Sequence, residues 1–142
     1  MTEQSLISLI LSLKHACIAQ ENSIRANLGL SSAEYHCLSV LSPGLSLSSS
    51  AVSRIIGRSP SRTTRLVSKM IERGFVQRAA GPDRRTDAIT LSPLGCTVHQ
   101  HIEEGFSVCE EKLRGILGKE EYQAAQRSLR RVIDAISVAK GA

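Results

Sequence analysis

Apolar residues return along the first thirty positions at steps of three, four and seven: Leu6, Ile10, Leu13, Cys17 and Ile24. That spacing draws a single stripe along a helix running from about Thr2 to Asn27. At ~1.5 Å per residue the helix is roughly 35 to 40 Å long, more than a small domain needs for its own core. Gly29 stops it. The stretch "LGLSSAEYHCLSVL" then restarts a helix, with Ser31 or Ser32 as N-cap and Glu34 placed for a capping box. Pro43-Gly44 ends that second helix.

In "LSLSSSAVSRIIGRSPSRTTRLVSKMIERGF" a serine cluster opens a short helix to about Ile56, Gly57 ends it, and Ser59-Pro60 start another. Two helices joined by a tight glycine-containing turn form a helix-turn-helix. Gly74 is well placed just past the second one. Next, "FVQRAA" and "TDAITLS" read as two strands around Gly81-Pro82-Asp83-Arg84, with Ile89 and Leu91 on one face. From Ser92-Pro93 a helix continues to about Leu117 through Val98, Ile102, Val108 or Cys109, Leu113 and Ile116. Gly118 interrupts, and a last helix follows through Tyr122, Ala125, Leu129, Val132, Ile133 and Ile136. The expected fold is mainly α with a small β-hairpin wing, a winged helix-turn-helix between long terminal helices.

Composition narrows this picture. A chain of 142 residues suits one folding unit, and 3% aromatics leave its core to Leu, Ile, Val and Ala. The net charge of +5 is unevenly spread. Between Arg54 and Arg85 nine cations face only Glu72 and Asp83, a local charge of +7, while the rest of the chain carries −2. Such a block points to a polyanion. Cys17, Cys37, Cys96 and Cys109 are too scattered for a disulfide scaffold, so reduced thiols in the cytoplasm are expected. The opening "LISLILSL" has an acid before it and Lys14 and His15 after it, which fits neither a signal peptide nor a membrane span.

At 100° per residue Arg62, Arg65, Lys69 and Arg73 fall within about 80° of one another, while Leu66, Val67, Met70 and Ile71 occupy a separate sector. One face packs and another is cationic. An α-helix fits the major groove, arginine can bond two acceptors on guanine, and lysine or hydroxyl donors can hold phosphates. Ser61, Thr63 and Thr64 add short donors at the helix N-terminus, where the dipole favours phosphate.

With these residues in view, "SSSAVSRIIGRSPSRTTRLVSKMIERGFVQRAAGPDRRTDAITLSPLG" resembles the MarR family of bacterial transcriptional regulators. The likeness lies in the helix-turn-helix, the "RLVSKMIERGFV" recognition-helix tail, the Asp-x-Arg wing and the "LSPLG" entry into the next helix. Ser53 and Thr63 depart from the usual pattern, which has a small alanine and a β-branched aliphatic there. The resemblance implies a homodimer on a pseudo-palindromic site of double-stranded DNA, acting as a repressor. Its terminal helices, about 2–30 and 93–140, would interlock around a DNA-binding lobe at about 31–92. Carried over by position, Arg62, Thr63, Thr64 and Arg65 lie at the groove, Ser61 and Lys69 on phosphates, and Asp83 and Arg85 in the wing. Arg84 is expected on phosphate or solvent. A small-molecule effector in the cleft between dimerisation helices and lobe is also implied, with His15, Tyr35 and His36 as candidate lining.

Other chemistry is thinly represented. His99 and His101 are two apart and point to different sides of a helix, and no histidine or cysteine set has zinc spacing. A thiol switch would fall first to Cys17 or Cys96. No nucleophile with a base, carboxylate pair or phosphate loop stands at a recognised spacing, so neither an enzyme nor a cofactor is expected. The competing readings are a thiol-controlled regulator of the same fold, a sequence-neutral architectural DNA binder, and a winged helix used only to bind protein.

Overall fold

Serine hydroxyls decide where most of the helices begin. In the computed structural model, which describes residues 3–79 and 88–141, Ser5 accepts the amide of Ser8 and opens α1, Leu6–Leu28. This cap places the start four residues later than the apolar spacing suggests. Gly29, at φ 65°, closes the helix in the left-handed region. Ser31 and Glu34 form the reciprocal capping box of α2, Ser32–Val40. Ser48 caps α3, Ser49–Ile56, and Ser59 caps α4, Pro60–Glu72, with Pro60 in its first turn.

The sheet is larger than the sequence pattern suggests. β2, Val76–Arg78, and β3, Ala88–Leu91, pair antiparallel as the hairpin, but a third strand, β1, Leu47–Ser48, joins the other edge of β3. Leu47 lies opposite Ile89, and Val76 opposite Leu91. The turn Gly81-Pro82-Asp83-Arg84, with Arg85, lies outside the described residues.

α5, Pro93–Gly141, is interrupted at Gly118, whose φ of 77° and ψ of 166° are not helical, where the sequence pattern places the break. The chain divides into two compact units, Met1–Glu103 and Glu104–Ala142. The first holds the core: Leu38, Leu41, Val52, Met70, Ile89 and Ile102 are fully buried in it. Ser92 ties the end of α4 to the start of α5. Its amide donates to the Phe75 carbonyl at 3.0 Å, its hydroxyl donates to the Gly74 carbonyl, and it accepts the Gly95 amide at 3.0 Å. Gly95 sits so close that a Cβ there would lie 1.9 Å from the Phe75 oxygen. In the second unit Tyr122 donates to Glu110 across the Gly118 bend, and the Arg114 guanidinium lies 4.6 Å from the Tyr122 ring centroid.

Candidate nucleic-acid interface

The turn between α3 and α4 is built from the backbone outward. Gly57 takes φ 69°, and the Ser53 hydroxyl donates to the Arg58 carbonyl at 2.5 Å, while the Arg58 amide donates to the Ser53 carbonyl at 3.1 Å. Ser53 is buried, and an alanine in its place would lack that second link across the turn. Leu66, Val67 and Met70 are buried, and this fixes the rotation of α4 about its axis. Ser61, Arg62, Thr64, Arg65 and Lys69 are all exposed as a result.

Thr63 corrects the sequence reading. It is fully buried and its hydroxyl donates to the Ser59 carbonyl at 3.0 Å, so its side chain packs in the core and does not reach a groove. Thr64 stays exposed, with its hydroxyl turned back onto the Pro60 carbonyl at 3.0 Å. Arg73 also leaves the cationic face. Its guanidinium reaches Glu34 Oε1 and Oε2 at 2.5 and 2.6 Å, donates to the Gly29 carbonyl at 3.0 Å, and lies 4.8 Å from the Phe75 ring centroid. Glu34 is only 1% exposed. Burial pushes its carboxyl up, but the Ser31 amide and hydroxyl and the Arg73 charge outweigh that and hold it below its ordinary value. The free cations of this face are therefore Arg62, Arg65 and Lys69, joined by Arg58 from the turn. Among the described residues none of the four has a carboxylate in ion-pair range. Together they line a cleft of about 430 Å³. Asp83, Arg84 and Arg85 lie outside the described residues.

The remaining candidates separate. His36 Nε2 is 3.0 Å from Glu21 of α1, and its ring stands 5.9 Å from that of the buried Tyr35. Burial, and then the Glu21 charge, push the Tyr35 phenol up. His15 is exposed on α1, six residues before Glu21 and so about 120° around the helix. Cys17 is exposed and Cys96 half-buried, whereas burial pushes the Cys37 thiol up to about 11. His99 is a packing histidine, with Nδ1 2.7 Å from the Leu38 carbonyl and Nε2 3.7 Å from Glu103. Among the described residues no three metal-ligating side chains gather, and no helix is long and apolar enough to cross a membrane.

A family model described as MarR family matches residues 28–86. The match covers 59 of the 142 residues, and over them the chain is similar to that family. The matched stretch runs from the end of α1 through α4 and β2, and so contains every free cation named above. The MarR family transcriptional regulator SPO1453 from Silicibacter pomeroyi is 23% identical, with a TM-score of 0.75 over 92% of this chain and 94% of that one. The reduced form of MarR from E. coli is 18% identical, with a TM-score of 0.72 over 93% and 98%. NadR in complex with 4-hydroxyphenylacetate is also 18% identical, at 0.72 over 93% and 97%. At these identities the likeness is one of fold, that of winged-helix MarR-family regulators. Sequence comparison with curated proteins gives no match.

Proposed function

We propose that the chain is a sequence-specific, double-stranded DNA-binding regulator that represses from a pseudo-palindromic operator as a homodimer and is released by a small-molecule effector. The observation that carries this reading is the α4 face, where Arg62, Arg65 and Lys69 stand exposed and unpaired on a helix locked to the core by Leu66, Val67 and Met70. Arg62, Thr64 and Arg65 read base edges, and Ser61, Lys69 and Arg58 hold phosphates. In the wing, Arg85 acts at the flanking minor groove, Arg84 at phosphate or solvent, and Asp83 orients its neighbour. No catalytic role is assigned to any of these groups, and the site of action is the cytoplasm.

The dimer is supported by apolar surface left uncovered. α1 has no buried residue, yet Leu6, Ile7, Leu9, Leu11, Leu13 and Ile18 are all exposed on it. Among the described residues the second unit exposes seven large hydrophobics, including Ile116 at 81% and Ile133 at 59%. Only the end of α1 packs on the core, through Ile24 and Leu28, so most of its apolar surface is left to water. A second copy supplies matching apolar arms, so residues 2–30 and 93–140 serve as dimerisation helices around the lobe at 31–92. The NadR complex shows a protein of this fold with a small aromatic acid bound, which supports an effector here. Tyr35 and His36, held together beside Glu21, are the better candidates for its lining, and His15 is the weaker.

Selection of bound sequences from random duplexes tests the reading. The expected product is a pseudo-palindrome with half-sites about one helical turn, ~34 Å, apart. Binding without an enriched sequence would leave an architectural protein, and no binding at low salt would leave a protein-interaction module. A monomer mass at micromolar concentration would overturn the interlocked arms.

A further inference from the structure

The cleft that holds the four free cations has two walls of different origin. Arg62, Arg65 and Lys69 descend from α4 and Arg58 from the turn before it, while Ser31, Ser32 and Ala33 of the first turn of α2 face them, over Leu66. No acid lines it: Glu34, the nearest carboxylate in sequence, is buried and tied to Arg73. The amide of Glu34 donates to the Ser31 hydroxyl and that of Tyr35 to the Ser31 carbonyl. The amides of Ser32 and Ala33 have no acceptor among the described residues, as expected of the first turn of a helix. Four unpaired cations in one concavity repel one another until an anion joins them. Guanidinium groups hold phosphate oxygens through paired N–H donors. The volume of about 430 Å³ falls within the range of small-ligand sites, more room than one backbone phosphate requires.

The geometry points to a second role for this cleft: it is a phosphate-binding site for a free, multiply charged phosphate of the pyrophosphate class, and its occupant competes with the DNA backbone for Arg58, Arg62, Arg65 and Lys69. The competition half rests on the DNA-binding reading above; the binding half does not. The occupant weakens DNA binding because it neutralises the same cations, and no change of shape is required.

Two arms test this on the full chain. Calorimetric titration with pyrophosphate, against sulfate at equal ionic strength, is expected to show saturable binding of one pyrophosphate per chain and none of sulfate in the same range. Arg58→Gln with Arg62→Gln is expected to weaken it at least tenfold, whereas Arg114→Gln in the second unit leaves it unchanged. Circular dichroism confirms that the variants, altered only at exposed positions, remain folded. Pyrophosphate binding no tighter than sulfate, or binding that survives the double substitution, would overturn the site. In the second arm, fluorescence anisotropy of a labelled duplex is expected to fall with pyrophosphate well before it falls with sulfate at matched ionic strength. Equal displacement by both anions would overturn the competition. If the chain binds no duplex at low salt, the DNA reading and the competition fall together, and the calorimetric arm alone still decides whether the cleft takes phosphate.

Discussion

Replacing Arg73 by methionine keeps most of the side-chain volume and leaves the Glu34 carboxylate buried without its partner. Three contacts are lost: the two-pronged pair with Glu34, the bond to the Gly29 carbonyl and the cation–π contact with Phe75. Breaking a buried pair from one side costs about 3 to 5 kcal/mol in fully enclosed sites. The Arg73 side chain is 36% exposed, so water enters where it stood and the figure must be reduced. Protonation sets a second bound. A carboxyl of ordinary value 4.5 can escape at pH 7 by taking up a proton, at most about 3.4 kcal/mol at ~1.36 kcal/mol per unit. The expected loss for Arg73→Met at pH 7 is therefore about 2 to 3 kcal/mol. Glu34→Gln should cost less, about 1 kcal/mol. Its amide oxygen still accepts the Ser31 amide, and Arg73 can turn to solvent.

The pH dependence gives the argument its sign. In the wild-type chain the folded Glu34 carboxyl lies below its unfolded value, so its stabilisation is present above about pH 4.5 and is lost as pH falls through the folded value. In Arg73→Met the bonds from Ser31 still oppose burial but the lowering by Arg73 is gone, so the folded value rises above that of wild type and stabilisation above it is lost. The deficit of Arg73→Met relative to wild type should narrow as pH falls through the variant's folded value and vanish below that of wild type. Urea unfolding at fixed chain concentration reads it, since association would otherwise shift the midpoint. A pH-independent deficit, or a Glu34→Gln/Arg73→Met double variant whose loss equals the sum of the singles, would refute the coupling.

Gly95→Ala is expected to cost at least about 2 kcal/mol, because the obstacle 1.9 Å from the new Cβ is the Phe75 backbone and not a flexible side chain; a thermal melt within a degree of wild type would refute the close approach. Thr63→Val should lower stability by about 1 kcal/mol through the lost bond to Ser59 and leave DNA affinity unchanged. Arg62→Ala or Arg65→Ala should do the reverse, losing about 1 to 3 kcal/mol at the specific site with an unaltered melt. A disulfide reagent at pH 8 should modify Cys37 only on unfolding, as it is fully buried and burial holds its thiol at about 11; mass spectrometry of samples quenched before and after unfolding checks this.

What the sequence made legible follows distance along the chain. A cap is a relation between a hydroxyl and an amide three residues on, so Ser31, Ser59 and Ser92 announce their helices without reference to anything else. The left-handed Gly29 and Gly57 and the break at Gly118 are equally local. β1 has two residues and therefore no period, and its partner Ile89 lies 42 positions away; no pattern could have marked it. Glu34 and Arg73 are 39 apart, and each had a sufficient local explanation, one as a capping residue and the other as part of a cationic face. A local role that satisfies the pattern hides a distant one. Thr63 is the instructive case, since a signal was available. At 100° from Arg62 it falls between Leu66 and Val67, within the sector assigned to packing, and only its hydroxyl argued for the groove. That hydroxyl is satisfied within its own helix by the Ser59 carbonyl, which lets a polar side chain occupy an aliphatic position at little cost. For serine and threonine on a helix, then, the wheel position outranks the chemistry of the side chain. The same rule keeps Thr64 and Ser61, outside that sector, among the groups available to DNA.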